Sequence, residues 1–405
     1  MKIAHTADPH FQNKPVLDDI IKCSDYFVDT CLAEDVDLIL IAGDLFHEGV
    51  QLGSPASLAA IAFVKKCGDM APTIVIRGTS SHDAENSIAV LNDIKAAYPI
   101  YATDRLEQVG LCQNNVWRIF PDNEPPYDPY KVFISCLPSV NKAGVMAAHA
   151  AGAGIADTSR ETMDLMRDIF QAWGVKNGQA REAGIPTILI GHSTVTGSQL
   201  STGQTMVGKD LKFTGGDRQL ANCDLYCLGH IHKAQAWGNI FYSGSITRLN
   251  HGETEAKGFM IYEFNNLKNL KSRFIETPAR SMRTKRPEGL PGIEAVDDVQ
   301  QGELIRIVYS VAEADIGKVD EQAIIDAALA KGAADVKIEK NIIPTVRVRA
   351  EGISREIHLE GKLMKWADTT GMGITKEIGE KLAVLEVEDV EEAISKLYAN
   401  DGGAA

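Results

Sequence analysis

The chain has 405 residues, a length that two or three domains normally take up, and its 44% hydrophobic and 24% charged residues are typical of globular proteins. A net charge of −14 argues against a diffusely basic nucleic-acid-binding protein, so any DNA contact would need a local basic patch or bound metal ions. No apolar run approaches the roughly 18 residues of a membrane-spanning helix, and no signal peptide is recognisable, which predicts no membrane association. Seven scattered cysteines without a C-x-x-C pair indicate reduced thiols and a cytoplasmic location.

Short apolar runs predict eight strands in the first two thirds of the chain, and apolar residues at helical spacing predict four helices between them. In chain order the strands are Lys2–Thr6, Asp37–Ala42, Thr73–Ile76, Val132–Leu137, Thr187–Ile190, Leu225–Leu228, Ile240–Ser243 and Gly258–Phe264. The helices are Val16–Ala33, a segment from the N-cap Ser54 and Pro55 to Cys67, Asn86–Ala96 and Glu161–Trp173. This alternation predicts an α/β layered domain with functional residues at the carboxyl ends of its strands.

Aspartate or histidine follows a predicted strand end at five places. These residues are Asp8 and His10, Asp44 with His47, His82 and Asp83, His192, and finally His230 and His232. By ligand chemistry they divide into two sets that share Asp44: Asp8, His10, Asp44 and His232, and then Asp44, His192 and His230. Mixed carboxylate and imidazole ligands suit Mn²⁺, Fe²⁺ or Zn²⁺, and two such ions about 3.5–4 Å apart can act together on a phosphoryl group. A cap or a satisfied core group is the alternative for any single residue, whereas the full set favours a metal site.

These motifs resemble those of the calcineurin-like metallophosphoesterases. The matching stretches are Asp8-x-His10, Gly43-Asp44-x-x-His47, His82-Asp83, Gly191-His192 and Gly229-His230-x-His232. A narrower resemblance, to the SbcD family of nuclease subunits in the bacterial double-strand-break repair complex, rests on two places. They are Ile3–His10 and the run Tyr242-Ser243-Gly244-Ser245-Ile246-x-Arg248 with Gly252-Glu253 and Lys257-Gly258-Phe259. The resemblance covers roughly residues 1–264.

The resemblance implies a metallophosphoesterase β-sandwich flanked by helices, with a small α+β capping domain and C-terminal helices. The expected domains are a nuclease domain at residues 1–280, a DNA-capping domain at 281–352 and a helical, ATPase-binding segment at 353–405. The two ligand sets would hold two divalent ions, with Mn²⁺ favoured. His82 would act on the scissile phosphate, Asp83 would orient the His82 ring, and His47 would support the ligands from behind.

One departure from the family pattern affects the second metal. The superfamily usually has Gly-Asn-His-Asp, with the asparagine as a ligand, whereas this chain has Gly78-Thr79-Ser80-Ser81-His82-Asp83. A hydroxyl is a poorer ligand than an amide carbonyl. Ser81, a neighbouring hydroxyl or water could take the asparagine's place, or the second ion could be held weakly.

The chain beyond the nuclease motifs contains the clearest basic segment, with seven Lys/Arg and one acid between residues 268 and 286. The candidates for DNA contact are Arg77, Arg248, Lys271, Arg273, Arg280 and Arg283. The alternative for the segment is a solvated linker or an edge strand. Further on, the pattern predicts a βαββ unit and two helices. They are the strand Glu303–Val311, the helix Glu321–Lys331, the strands Asp335–Glu339 and Thr345–Ala350, and the helices Leu359–Trp366 and Val387–Tyr398.

The favoured function is a two-metal DNA nuclease, with exonuclease activity on duplex ends and endonuclease activity on single strands or hairpins implied by the resemblance. DNA, an SMC-like ATPase of the SbcC type and a second copy of the chain are the implied partners. Two alternatives stay open: a calcineurin-like phosphatase or nucleotide phosphodiesterase, and a non-catalytic DNA-binding subunit with a degenerate second metal site. Release of nucleotides from linear duplex DNA separates the nuclease from both.

Overall fold

The structure is a computed structural model that describes most of the chain. The described residues are 1–13, 16–49, 51, 53–120, 130–140, 158–201, 212–266, 269–344, 353, 356–376, 378–379 and 382. Met1–Tyr309 with Asp320–Glu339 forms one compact unit, and Ser310–Val319 with Lys340–Ala405 forms another. The domain boundaries expected after residues 280 and 352 stay predictions. No helix among the described residues is long and apolar enough to cross a membrane.

Eighteen strands and six α-helices lie in the described residues. The strands are β1 (Lys2–Thr6), β2 (Leu38–Ala42), β3 (Thr73–Ile76), β4 (Ile100–Thr103), β5 (Glu107–Cys112), β6 (Trp117–Ile119), β7 (Tyr130–Leu137), β8 (Thr187–His192), β9 (Thr194–Val195), β10 (Lys212–Phe213), β11 (Leu225–Gly229), β12 (Gln235–Trp237), β13 (Ile240–Tyr242), β14 (Gly258–Asn266), β15 (Asn269–Glu276), β16 (Met282–Lys285), β17 (Leu304–Ala312) and β18 (Asp335–Ile343). The helices are α1 (Leu17–Glu34), α2 (Pro55–Met70), α3 (Thr158–Glu182), α4 (Gly215–Gln219), α5 (Glu321–Ala330) and α6 (Leu359–Thr370).

Two large sheets carry the site. The first has the order β15-β14-β1-β2-β3-β4, and the second has the order β12-β13-β11-β8-β7-β5-β6. Strands β1 to β4 are parallel to one another, as are β7, β8, β11 and β13. Each sheet therefore has several carboxyl strand ends along one edge, which is where parallel sheets place their functional residues. The remaining described strands form a small pair, β10-β9, and a three-stranded sheet, β16-β17-β18.

The two large sheets pack face to face around an apolar core. Residues such as Ile3, Leu40 and Ile74 from the first sheet share one buried cluster with Ile134 and Ile188 from the second. Helices α1 and α2 cover the outer face of the first sheet, and α3 covers that of the second. Parallel strands that are buried on both faces consist of continuous apolar residues, which explains the short uninterrupted runs in the sequence. The predicted layered α/β sandwich flanked by helices is confirmed.

Most predicted elements are confirmed, with shifts of a few residues at most of their ends. The helix predicted over Glu161–Trp173 is longer than expected, since α3 spans Thr158–Glu182. The Ser54 hydroxyl accepts the N–H of Ser57 at 3.2 Å, so Ser54 caps α2 as predicted. The helix predicted over Asn86–Ala96 is wrong, because only the 3₁₀ turn Ala89–Asp93 forms there. The Asn92 side chain bonds both the N–H and the carbonyl of Ala102, which ties this segment to β4.

The sequence missed strands that have no continuous apolar run, and several of these lie at sheet edges. The basic segment forms β15, an exposed edge strand that pairs with β14, and then β16, so its interpretation as an edge strand is confirmed. In the C-terminal part, α6 confirms the helix expected from Leu359, whereas the strand expected at Thr345–Ala350 and the helix at Val387–Tyr398 lie outside the described residues.

Close contact between the two sheets at their carboxyl strand ends requires a residue without a side chain. A Cβ placed on Gly229, at the end of β11, would lie 2.0 Å from the Ala42 carbonyl oxygen at the end of β2. Because both positions are backbone, the overlap cannot be relieved by a rotamer change. Any larger residue at 229 must push the sheets apart.

Replacement of Gly229 by alanine should therefore lower the free energy of unfolding by at least about 1–3 kcal/mol, the cost of overpacking a dense interior. Urea unfolding followed by circular dichroism measures the change. Gly215→Ala is the matched control, since a Cβ there has no atom within 4 Å, and it should stay within about 0.5 kcal/mol of the parent. Equal stabilities for the two variants would contradict the proposed close contact.

Candidate metal centre

Backbone strain is concentrated where the predicted ligands leave their strands. Asp8, His10, Asp44 and His230 have φ angles of 50°, 49°, 49° and 89°. Few non-glycine residues adopt positive φ, and such conformations typically cost about 1–3 kcal/mol unless the surroundings enforce them. The conformation turns the chain sharply after each strand, so that side chains from different strands point into one buried space. Strain of this kind is typical of functional sites.

Asp44 lies at the centre of the cluster. One carboxylate oxygen, Oδ2, is 3.3 Å from His192 Nε2 and 3.6 Å from His10 Nε2. The other oxygen, Oδ1, accepts the backbone N–H of Thr79 at 2.6 Å and the Thr79 hydroxyl at 2.9 Å. Since Oδ1 is held from one side, Oδ2 is fixed between two imidazoles that belong to different predicted ligand sets. Asp44 therefore lies between the two predicted ligand sets, and its role as a bridging ligand stays a prediction.

The structure brings together the ligands of both predicted sets. In one group Asp8, His10 and His232 each offer a ligand atom, and all three atoms lie within 4.8 Å of one another. Asp44, His192 and His230 form a second group by the same measure. The Nε2 atoms of His10 and His232 are only 3.1 Å apart. An N–H of one ring donating to the other could satisfy this contact, and so could a cation bound by both nitrogens. The mixed carboxylate and imidazole donors of the group fit a divalent metal ion.

Hydrogen bonds behind the ligands fix which ring nitrogen faces the cluster. His192 Nδ1 lies 2.8 Å from the Ala42 carbonyl, and His232 Nδ1 lies 3.1 Å from the Glu253 carboxylate. A carbonyl or an ionised carboxylate can only accept, so each Nδ1 donates. When the ring is neutral, as a metal ligand must be, the lone pair is therefore on Nε2, the nitrogen that faces the cluster. Both oxygens of Asp8 accept the N–H of His230, at 2.9 and 3.1 Å, which orients that carboxylate too.

Glu253 was not predicted as a site residue. The sequence offered one signal, its place in the Gly252-Glu253 pair that follows the Gly-His-x-His motif. The predicted ligands could be found because they follow strand ends, whereas Glu253 reaches His232 across 21 residues from a loop with no such pattern.

The buried carboxylates and imidazoles shift one another's pKa values and thereby determine which of them are charged. Burial would raise the pKa of Asp44, but the charge and hydrogen bond of His192 hold that pKa well below its usual value. Burial would lower the pKa of His192, yet the charges of Asp44 and Asp8 raise it to about 10. For His230, burial and the charge of His192 lower the pKa to about 3. The space around Asp44 therefore attracts positive charge, while His230 stays neutral, as a metal ligand must be.

His82 lies at the rim of the cluster. Its ring centroid is 4.6 Å from that of His10 and 5.4 Å from that of His47, on which it stacks. His82 Nδ1 contacts the His47 carbonyl oxygen, which can only accept, so Nδ1 donates and Nε2 is left for other groups. His10, His47 and His82 also place one nitrogen each within 4.8 Å of one another. His47 thus supports His82 through its carbonyl and lies beside the predicted ligand His10.

Asp83 does not orient the His82 ring, contrary to the expectation from the sequence. Its buried carboxylate accepts three backbone N–H bonds, from Leu45 at 3.2 Å, Phe46 at 3.0 Å and Gly78 at 2.8 Å. These bonds tie the loop after β2 to the loop after β3. Burial and the nearby charge of Asp44 raise the pKa of Asp83 to about 6. Asp83 therefore shapes the site through the backbone, and the His47 carbonyl orients His82.

Ser81, the predicted stand-in for the usual asparagine ligand, is exposed to solvent. The hydroxyl that contacts the bridging carboxylate belongs to Thr79, two residues earlier and 8% exposed. A neighbouring hydroxyl was one of the alternatives considered for this loop. The structure brings Thr79 to Asp44 and leaves Ser81 at the surface, while the role of Ser81 as a metal ligand stays a prediction.

Most of the predicted DNA-contact residues are engaged with other protein groups. Arg248 donates to four backbone carbonyls, those of Glu253, Glu255, Ala279 and Arg280. Three others have acidic partners: Glu34 for Arg273, Asp19 for Arg280, and Glu303 with Asp298 for Arg283. Arg77 is half-buried and donates to the Ser139 carbonyl at 3.4 Å. Lys271 is exposed on β15.

Comparison with known proteins agrees with this geometry. A family model described as calcineurin-like phosphoesterase matches residues 1–234. The chain is 24% identical over 275 residues to the putative phosphoesterase 244L of Invertebrate iridescent virus 6, a match that covers 65% of this chain and 77% of the viral protein. It is also 24% identical over 280 residues to the SbcD component of the SbcCD nuclease of Escherichia coli (strain K12), which covers 66% of either chain.

Among solved structures, GAP50, the anchor in the inner membrane complex of Plasmodium, aligns with 69% of this chain and 85% of its own length. The sequence identity is 16% and the TM-score is 0.42, a value too low to support an argument.

Removal of the bridging carboxylate should affect both halves of the centre. Asp44→Ala is expected to bind neither of two Mn²⁺ ions tightly, because the variant lacks the oxygen that lies between His10 and His192. Bound metal is measured by elemental analysis after gel filtration. Asp25→Ala, which removes an exposed carboxylate paired with Lys66, is the matched control and should retain both ions. Two ions bound to Asp44→Ala would contradict the bridging role.

Proposed function

The chain belongs to the calcineurin-like phosphoesterase family and is a phosphodiester hydrolase, and we propose that it is a metal-dependent DNA nuclease of the SbcD type. The observation that carries the proposal is the presence of two adjacent ligand groups. One consists of Asp8, His10 and His232 and the other of Asp44, His192 and His230. Asp44 Oδ2 lies between them, near His10 of the first group and His192 of the second. A site with two such groups suits in-line attack on a phosphodiester. Mn²⁺ is the proposed metal because the family resemblance favours it, and the mixed carboxylate and imidazole ligands are compatible with that ion.

The protein's own residues have distinct tasks in the proposed reaction. When bound, two divalent ions supply an activated water and stabilise the charge on the phosphate oxygens. Asp44 holds the two ligand groups at a fixed separation, since Thr79 restrains its outer oxygen. His82 donates through Nδ1 to the His47 carbonyl, so its Nε2 can reach the phosphate or the leaving oxygen. Asp83 keeps the loop of His82 in register with the loop of Asp44 through three backbone bonds.

DNA is the proposed substrate because one relative, SbcD, is named as a component of a nuclease. The assignment to the SbcD type also rests on the name of that relative. We assign to this chain exonuclease activity on duplex ends and endonuclease activity on single strands or hairpins, in DNA repair or recombination. The proposed partners are an SbcC-type ATPase, bound by the segment at 353–405, and a second copy of the chain. Residues 281–352 would cap the DNA, and the protein would act in the cytoplasm.

A phosphatase or nucleotide phosphodiesterase is the second candidate, and two observations favour it. One relative is described only as a putative phosphoesterase. In addition, Arg273, Arg280 and Arg283 are paired with acidic residues, which weakens the basic surface that a DNA backbone would contact. Ser81, exposed and away from Asp44, leaves room for the third candidate, a subunit with a weak second metal site.

A nuclease assay with His82 variants tests the proposal. In the presence of Mn²⁺ the wild-type chain should release nucleotides from linear duplex DNA, and His82→Ala should cleave about 10²–10⁴-fold more slowly, the usual range for loss of a general acid. His82→Ala should still bind both metals, because His82 belongs to neither predicted ligand set. His358→Ala, which removes an exposed imidazole at the start of α6, is the matched control and should cleave at the wild-type rate.

The outcomes separate the candidates. Hydrolysis of a small phosphomonoester without DNA cleavage favours the phosphatase, and DNA binding without hydrolysis of either substrate favours the non-catalytic subunit. Wild-type activity in His82→Ala would overturn the role given to this histidine.

A further inference from the structure

A buried ion pair lies directly behind the predicted ligand His232. Lys257 Nζ is 3.0 Å from Glu253 Oε2, and both side chains are 0% exposed. The pair is fully hydrogen-bonded. Glu253 Oε1 contacts His232 Nδ1 at 3.1 Å and accepts from Asn250 at 3.0 Å, and Oε2 also accepts the Leu249 N–H at 2.9 Å.

Stability alone is a weak explanation for this pair. The desolvation of two buried charges commonly equals or exceeds their mutual attraction, so that an apolar replacement of similar size is often neutral or stabilising. The groups that the pair holds in place are therefore a better guide to its role. Both members contact the same residue, His232, but at different atoms.

Glu253 holds the ring of His232, and Lys257 holds its backbone. Glu253 accepts from the ring at Nδ1, and Lys257 donates to the His232 carbonyl oxygen at 3.1 Å. Lys257 also donates to Ser245 at 3.1 Å and to Glu255 at 2.7 Å, which anchors its ammonium group in the next loop. Arg248 braces that loop through the carbonyls of Glu253 and Glu255, both at 3.0 Å.

We infer that Glu253 and Lys257 are positioning residues that aim the Nε2 lone pair of His232 at the metal. Glu253 fixes the ring as the Nδ1–H tautomer, and Lys257 holds both the carboxylate and the backbone from which the ring projects. With the ring so held, His232 Nε2 lies 3.1 Å from His10 Nε2 and forms one side of a ligand group. The inference rests on His232 as a metal ligand, which is part of the proposed function.

Metal binding tests the positioning role without DNA. In calorimetric titrations with Mn²⁺, Glu253→Gln should lower the affinity for one of the two ions about 10–100-fold, the usual loss of metal affinity when a hydrogen-bond partner of a ligand is removed. The other ion, held by Asp44, His192 and His230, should bind with unchanged affinity. The matched control is Glu255→Gln, which makes the same change from carboxylate to amide beside Lys257. It keeps an oxygen that can accept from Lys257 and does not contact the His232 ring, so it should bind both ions as the parent does.

A double-mutant cycle separates positioning from a general effect on the fold. In a His232→Gln background, Glu253→Gln should cause no further loss of metal affinity, since the ring that it positions is already gone. A further loss in that background would show that Glu253 acts in another way and would overturn the inference. Equal losses in Glu253→Gln and Glu255→Gln would overturn it as well.

A measurement on the wild-type chain remains decisive even if Glu253→Gln fails to fold. In metal-free protein labelled with ¹⁵N-histidine, the His232 ring should carry its proton on Nδ1, with the signal assigned by its loss in His232→Gln. A proton on Nε2 would overturn the inference. Because this readout involves neither DNA nor turnover, the inference and the nuclease proposal can fail separately.

Discussion

The functional site depends on the close approach of two sheets at the carboxyl ends of their strands. Two glycines permit it. A Cβ on Gly43, after β2, would lie 2.4 Å from His192 Nδ1, and one on Gly229, at the end of β11, would meet the Ala42 carbonyl at 2.0 Å. At these points atoms of one sheet occupy the space that a side chain would take on the other. Within the first sheet, a Cβ on Gly78 would likewise lie 2.0 Å from Asp44 Oδ1. The ligands of the two sheets can therefore surround a common space.

That approach brings like and unlike charges into a volume from which water is largely excluded. Asp8, His10, Asp44 and His192 are each at most 2% exposed, and a buried charge is unfavourable unless it is paired. The two carboxylates are compensated in part by imidazoles and backbone N–H groups. Divalent cations would complete that compensation, and their binding free energy would then add to the stability of the folded chain. Positive φ at four ligand positions is tolerated only in such a surrounding, because the packed core of both sheets enforces it.

Local sequence rules predict the strand-end ligands because those residues follow apolar runs, and apolar runs identify buried parallel strands. The same rules fail where a contact is made across the fold. The contact of Glu253 with His232 and that of the Thr79 hydroxyl with Asp44 are visible only in the folded chain. The same holds for the backbone N–H groups that donate to Asp83. Edge strand β15 was ambiguous for a different reason. The residues on both of its faces are exposed or half-buried, so no alternation of apolar and polar residues marks it in the sequence.

The basic segment shows how a charge count in the sequence differs from a binding surface in the fold. Seven cations with one acid between residues 268 and 286 predict a phosphate-binding patch. Three of its four arginines nevertheless pair with acidic residues, and two of these partners, Asp19 and Glu34, lie far away in the sequence. A paired guanidinium must exchange its carboxylate partner for a phosphate, so it gains little free energy from DNA. In a chain of net charge −14, bound cations at the metal centre would then contribute much of the attraction for a phosphodiester. Under the proposed function, DNA binding and metal binding are therefore coupled, because affinity for DNA should depend on Asp44 and His232, the proposed ligands of the ions.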